Sequence, residues 1–275
     1  MTDAIKSMQL YPRAERILDD LAALGYSDDS ALSVAEVNQF DQLHYHGTEA
    51  LDVAAKMIGA RPEQYWIEIG SGIGGPARYL AEQHKVNVIA VELQEDQHEL
   101  ASRLTERCGL TGQVQHYCGD FLETDWEMGG YDAVVSWLAL YHIPERERLL
   151  DKIRLLLRPG GYFYAEDLCA LDDIDAAQWR DLERDLSAVT LPDIATYKRN
   201  LEDAGFIIQS VTDMSADWTE FTRQRLEAFR ADRERHVRVH GADIVDSLDA
   251  FYSAVDEQFQ SGKLGGIRVC ARSGD

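Results

Sequence analysis

Basic residues are scarce in this chain. Its 275 residues hold 27 lysines and arginines against 49 aspartates and glutamates, a formal net charge of −22. Such a surface repels nucleic acid phosphates and anionic lipid headgroups, so neither is an expected partner. Cysteines are few as well. Cys108, Cys118, Cys169 and Cys270 share no CxxC spacing, which argues against a zinc knuckle or a redox pair, and no metal is expected. No apolar run approaches the ~18 residues of a membrane span. Lys6, Arg13, Glu15 and Arg16 interrupt the first 25 residues, where a secretory leader would be apolar. Internal repeats, low-complexity segments and Ser/Pro-rich linkers are also missing. The expected setting is the reducing cytoplasm.

What is present is ordinary globular material, 45% apolar and 28% charged. Amphipathic helices are expected over 12–24 and 47–59. From residue 65 the pattern changes to short apolar runs alternating with helices: strands at 65–69, 86–92, 114–117, 131–137 and 162–165, and helices at 76–83, 94–108 and 145–157. This rhythm predicts a parallel sheet with helices on both faces. The valine-rich run 131–137 is expected to be buried on both sides. After Asp167 the rhythm breaks. Helices are expected at 172–188 and 194–204, a strand at 206–211, a long helical stretch at 217–260 and a last strand at 267–271. The predicted fold is α/β: a doubly wound, mostly parallel seven-stranded sheet. The chain divides into a helical lid (1–60), a ligand-binding core (61–170), and a completion of the sheet with a helical cap (171–275).

Several signals carry chemistry. Glu68-x-Gly70-Ser71-Gly72-x-Gly74 lies between a strand and a helix, where backbone N–H groups and the helix N-terminus approach a ligand. Glu92 ends the second strand, 22 residues after Gly70, where a carboxylate accepts from both hydroxyls of a ribose. Asp120 and Phe121 follow the third strand, an acid and an aromatic suited to an adenine amine and its face. Ser136 lies in the strand that leads to Leu140-Tyr141-His142-Ile143-Pro144. Arg158-Pro159-Gly160-Gly161 closes the helix before the next strand.

In this order and spacing the pieces resemble the class I S-adenosylmethionine-dependent methyltransferases, over about residues 62–168. The resemblance implies a Rossmann-like fold and S-adenosyl-L-methionine as cofactor. It places Gly70, Ser71, Gly72 and Gly74 against the methionine portion and uses Glu68 to orient that loop. Glu92 holds the ribose, Asp120 the adenine amine, and Leu93 and Phe121 line the ring. Gln97 and Ser136 complete the expected cofactor set. The glycine turn is similar to those of phosphoethanolamine and sarcosine/dimethylglycine methyltransferases. That likeness puts His142 and Tyr26 over the active site as catalytic residues.

The chain departs from the phosphobase enzymes at Trp137 and Leu138, where those enzymes carry an Arg-Asp pair. The expected activity is methyl transfer to a small-molecule acceptor, an amine nitrogen first. Oxygen, sulfur and carbon acceptors, a non-catalytic adenosyl-binding protein and a dehydrogenase stand as alternatives. Nothing in the sequence indicates the oligomeric state.

Other residues draw blander readings. His44 and His46 read as a polar segment closing over the cofactor. His236 and His240 read as a solvated helix face, and Arg78 with Glu82 as a surface pair. Trp179, Trp218 and Phe221 are core or pocket walls, and Arg199 or Lys263 are candidates for a substrate carboxylate.

Overall fold

The computed structural model describes residues 13–274. Seven strands form one sheet: β1 (Tyr65–Ile69), β2 (Asn87–Glu92), β3 (Val114–Cys118), β4 (Tyr131–Trp137), β5 (Leu157–Ala170), β6 (Phe206–Asp213) and β7 (Leu264–Ser273). Their order is β3-β2-β1-β4-β5-β7-β6. The first five are parallel, and β7 runs antiparallel between β5 and β6. The sheet is thus doubly wound and mostly parallel. β1 and β4 are its centre, and the chain reverses its winding between them, which opens a crevice at their carboxyl ends.

The strands are where hydrophobic patterning placed them, because a strand covered on both faces has no polar side to show. Ala133, Val134 and Val135 of β4 are fully buried. One face of the sheet packs Ile67, Val134 and Phe163 against α6 (Arg146–Leu156) and α8 (Ile194–Asp203). The other packs Trp66, Ala133 and Val135 against α3 (Gly47–Ile58) and α4 (Gly75–His84). Helix α5 (Glu95–Arg107) joins β2 to β3. Strand β5 is much longer than the expected 162–165. It begins at Leu157, its register with β4 shifts between Tyr131 and Ala133, and it runs on to Ala170 because β7 pairs with it from Tyr162 to Ala170.

Two helical layers flank the sheet's carboxyl edge. On the amino-terminal side are α1 (Arg16–Ala23) and α2 (Val34–Val37), the latter started by a reciprocal Ser33–Glu36 capping box. On the other are α7 (Ala176–Leu186), α9 (Ser215–Ala231), α10 (Arg233–His240) and α11 (Ala242–Gln260). The stretch expected as one helical run is therefore three helices, broken at Asp232 and at Gly241. One side of α10 is solvated and the other, which carries the His240 side chain, is covered. His240 Nε2 lies 3.3 Å from Asp20 and Arg235 2.9 Å from the same carboxylate, so α10 docks on α1 through charge. Among the described residues no helix is long and apolar enough to cross a membrane, and no cluster of His, Cys, Asp or Glu could hold a metal ion.

Candidate active site

The crevice at the carboxyl edge of β1, β2 and β4 is lined on one side by the glycine turn, Glu68, Glu92, Leu93, Gln97 and Phe121. On the other side it is lined by residues of the turn after β4 and of the helical cover. Gly70 has φ +72°, and a Cβ there would stand 2.3 Å from the Ala139 Cβ. Only glycine lets the turn pass so close to the segment after β4. Gly74 is restrained differently. Its φ is +78°, and a Cβ would meet His116 at 2.7 Å and Arg78 at 2.8 Å. Gly74 does not line the crevice, so it serves the packing of α4.

The turn is held from beneath. The Gly72 N–H donates to Glu92 Oε2 at 2.7 Å, and the Leu93 and Gln94 N–H groups donate to Oε1 at 2.8 and 2.9 Å. A carboxylate has about four acceptor positions, so these bonds leave about one for a ribose hydroxyl. The sequence expectation of two ribose hydroxyls on Glu92 requires one backbone bond to give way. Burial raises the Glu92 pKa, opposed by these three N–H donors. The Ser136 hydroxyl donates to the Ile69 carbonyl at 2.8 Å and is fully buried. It ties β4 to the end of β1 rather than facing the crevice. Asp120 is likewise outside the lining; its Oδ1 accepts from the Leu122 N–H at 2.9 Å, while Gly119 and Phe121 on either side face in.

Four buried polar atoms of the described lining have no protein partner: Trp137 Nε1, Arg225 Nε and, at the glycine turn, Glu68 Oε2 and Ser71 Oγ. Burial, opposed by the Arg78 guanidinium, holds Glu68 well above the usual carboxylate range. Orphaned polar atoms at a water-excluded turn are costly unless a ligand satisfies them. A ligand with an ammonium and a carboxylate close together meets both atoms at the turn, and the methionine end of S-adenosylmethionine has that pair. The residues present fit the group.

At the far end of the crevice stand two histidines. His142 Nδ1 lies 2.9 Å from the Ser187 carbonyl; a carbonyl only accepts, so the proton is on Nδ1 and Nε2 keeps its lone pair. His44 Nε2 lies 3.0 Å from the Gly47 carbonyl, which leaves its Nδ1 as the acceptor. Burial pushes both rings down to about 4, and the carbonyls recover only part of the cost. The His142 turn is braced by buried Asp167, which accepts from the Tyr141 N–H at 3.1 Å and faces Arg146 at 3.4 Å. Val189 and Thr190 N–H groups bond the Tyr141 carbonyl, so the loop after α7 is sewn to the same turn.

Tyr26 is not in this crevice. Its hydroxyl donates to Glu36, and it packs in the small amino-terminal cluster. The spacing that suggested an active-site tyrosine crosses an irregular segment whose path the sequence does not determine. Arg78 is no surface residue. It is fully buried, donating to Asp41 (2.9 Å), the Ile73 carbonyl (2.7 Å), and the Ala101 carbonyl and Thr105 (3.2 Å each). Trp218 is core, and Trp179 and Phe221 pack on the same cluster; none lines the crevice. Arg199 bonds Thr196 and Lys263 bonds Asp172, both away from it. Arg225 lines the crevice and drew no notice in the sequence; no short motif surrounds it.

A family model described as a methyltransferase domain matches residues 40–211. The chain is similar to sterol 24-C-methyltransferase of Yarrowia lipolytica, 30% identical over 174 residues, which are 60% of this chain and 45% of that protein. It is also similar to 27-O-demethylrifamycin SV methyltransferase of Amycolatopsis mediterranei, 25% identical over 260 residues, 91% of this chain and 89% of that protein. With the exception of the rifamycin enzyme, the chain spans about half the length of the first curated relatives it matches. Among solved structures, Haemonchus contortus phosphoethanolamine N-methyltransferase 2 superposes with a TM-score of 0.79 at 19% identity, over 96% of this chain and 58% of that one. With a domain match over more than half of its length, this chain belongs to the class I S-adenosylmethionine-dependent methyltransferases.

Proposed function

We propose that the chain moves a methyl group from S-adenosylmethionine to a small-molecule acceptor, first of all to an amine nitrogen. The observation that carries this reading is the pair of orphaned buried atoms at the glycine turn, Glu68 Oε2 and Ser71 Oγ, on a crevice that continues to His142. Bound there, S-adenosylmethionine supplies a methyl carbon made electrophilic by its sulfonium.

The protein's own part is positional and protonic. The glycine turn, pinned by Glu92 and Ser136, fixes the donor end of the crevice. The wall of Trp137, Leu138, Leu168 and Leu186 excludes water from the acceptor end. An apolar wall disfavours an ammonium ion, so an amine enters in its neutral, nucleophilic form. Holding the two reactants in line supplies most of the acceleration. As the new N–CH3 bond forms, the nitrogen becomes positive. His142 Nε2, kept unprotonated by burial, accepts a hydrogen bond from it and offers a place for the released proton. His44 Nδ1 is a second acceptor on the same wall.

A hydroxyl acceptor is the second reading. It is favoured by the relative named 27-O-demethylrifamycin SV methyltransferase, which aligns along nearly its whole length. The test is product analysis by mass spectrometry with the full chain, S-adenosylmethionine and panels of amines, phenols and acids. Formation of S-adenosylhomocysteine with an N-methyl product is the expected result. An O-methyl product alone replaces the first reading with the second, and no acceptor-dependent S-adenosylhomocysteine in any panel overturns both.

A further inference from the structure

We propose that Arg225 holds a carboxylate of the methyl acceptor, and that the acceptor is a small organic acid with an apolar body. The proposal deepens the methyl-transfer reading and rests on it.

Arg225 belongs to α9 and lines the acceptor end of the crevice. Its neighbours along the same helical cover are spent on carboxylates. Arg223 pairs with Glu220 and Glu227, Arg230 with Asp249, Arg233 with Asp246, and Arg235 with Asp20. Arg225 has no such pair among the described residues, in a chain with 49 acidic residues. Its Nε is buried with no hydrogen-bond partner. The nearby acids are engaged elsewhere: Asp249 with Arg230, and Asp256 with Thr222 and Gln260.

Aromatic rings hold the guanidinium instead. Its central carbon lies 4.7 Å from the Tyr252 ring centre, 5.1 Å from Tyr45 and 5.7 Å from Phe221. Tyr45 also hydrogen-bonds the guanidinium through its hydroxyl, while the ring faces attract the cation without consuming N–H groups, so the unpartnered Nε and the remaining N–H groups stay available for a planar, two-oxygen acceptor. A carboxylate matches that fork with two parallel hydrogen bonds.

The charge count selects among anions. Arg225 is the one arginine among the described lining residues, which include no lysine, and both lining histidines are neutral. Of the lining acids, Asp41 is paired with Arg78, Glu92 is held by backbone N–H groups, and Glu68 stands at the glycine turn. A monoanion is neutralised there. A phosphomonoester dianion would leave an uncompensated negative charge beside this apolar wall, which desolvation disfavours. Leu168, Leu186, Phe251 and Val255 complete the wall beside Arg225, so apart from the group that takes the methyl the rest of the acceptor is apolar.

The experiment is calorimetry on the full chain saturated with S-adenosylhomocysteine. Phenylacetate, indole-3-acetate and hexanoate are each compared with the corresponding primary amide, and phenyl phosphate is added as the dianion. The expected result is at least one acid bound tenfold or more tightly than its amide. Arg225→Met should bring the pair within twofold, Arg225→Lys should keep part of the preference, and S-adenosylhomocysteine affinity should be unchanged in both variants. Equal binding of every acid and amide, a preference that survives in Arg225→Met, or tightest Arg225-dependent binding by phenyl phosphate overturns the proposal while leaving methyl transfer standing. Failure of the unmodified chain to bind S-adenosylhomocysteine overturns both.

Discussion

The Arg78 guanidinium and the Asp41 carboxylate meet at 2.9 Å with both side chains fully buried, joining α4 to the segment that carries His44 and Tyr45 into the crevice. Arg78 also donates to the Ile73 carbonyl, so one cation fixes the glycine turn and the segment around Asp41 together. Removing one partner of such a pair strands a buried charge. Asp41→Ala is expected to cost about 3–5 kcal/mol of unfolding free energy, read by urea denaturation. It should also weaken S-adenosylhomocysteine binding. A loss within the usual ±0.5 kcal/mol of surface substitutions would show that water reaches the pair.

Gly70 and Ala139 give a second test. Gly70→Ala places a Cβ against Ala139 at a positive φ, and both the clash and the strain fall on the donor site. Loss of S-adenosylhomocysteine binding is expected, measured by calorimetry. Ala139→Gly added to Gly70→Ala removes the clash and leaves only the backbone strain, of order 1–2 kcal/mol. The double variant should therefore recover part of the affinity. Equal loss in both variants would assign the whole effect to backbone conformation.

The meeting of the glycine turn with Glu92 was legible in the sequence because its geometry is local, whereas Gly74, Asp120 and Ser136 stand outside the lining. A strand, a glycine turn and a helix follow one another, and Glu92 returns to the Gly72 N–H from the end of the neighbouring strand. Parallel pairing sets that meeting once the order of strands is known. Arg78 was misread because i,i+4 spacing to Glu82 says nothing about which face of α4 is covered. Its place between Ala77 and Ala81, both buried, was the available sign. His44, Tyr45 and Arg225 reach the crevice from segments distant in sequence, and only packing brings them together. Tyr26 failed for the same reason in reverse.

Burial of His142 as the neutral ring links stability to pH. Its pKa is about 4 in the folded chain and about 6.5 when unfolded. Between these values the unfolded chain binds more protons, so this residue's contribution is complete above about 6.5 and is lost as pH falls toward 4. The size is of order 3 kcal/mol, from about 1.4 kcal/mol per pH unit. Glu68, Glu166 and Asp167 have raised pKa values and tilt the whole-protein profile the other way. The informative quantity is therefore a difference. His142→Gln should lose less stability than the unmodified chain between pH 7 and pH 4.5, measured by urea denaturation at each pH. Parallel profiles would mean that His142 is hydrated in the folded chain.

His142 lines the crevice and Tyr26 does not, which separates their expected parts in the reaction. The Tyr26 hydroxyl is bound to Glu36 outside the crevice, whereas His142 lines the crevice. Tyr26→Phe should leave kcat and the acceptor KM unchanged and shift the melting temperature little. His142→Gln keeps a polar side chain of similar reach but removes the basic nitrogen. It should lower kcat by roughly 10²–10⁴-fold where proton transfer limits the rate, with S-adenosylhomocysteine affinity retained. The acid limb of kcat in the unmodified enzyme should lie near pH 4 rather than near 6.5, since burial has already moved the ring's titration there. Steady-state kinetics of the three proteins across pH 4–9 checks these expectations together. A kcat lost in Tyr26→Phe but kept in His142→Gln would reverse the two roles, and would require the amino-terminal segment to swing inward when the donor binds.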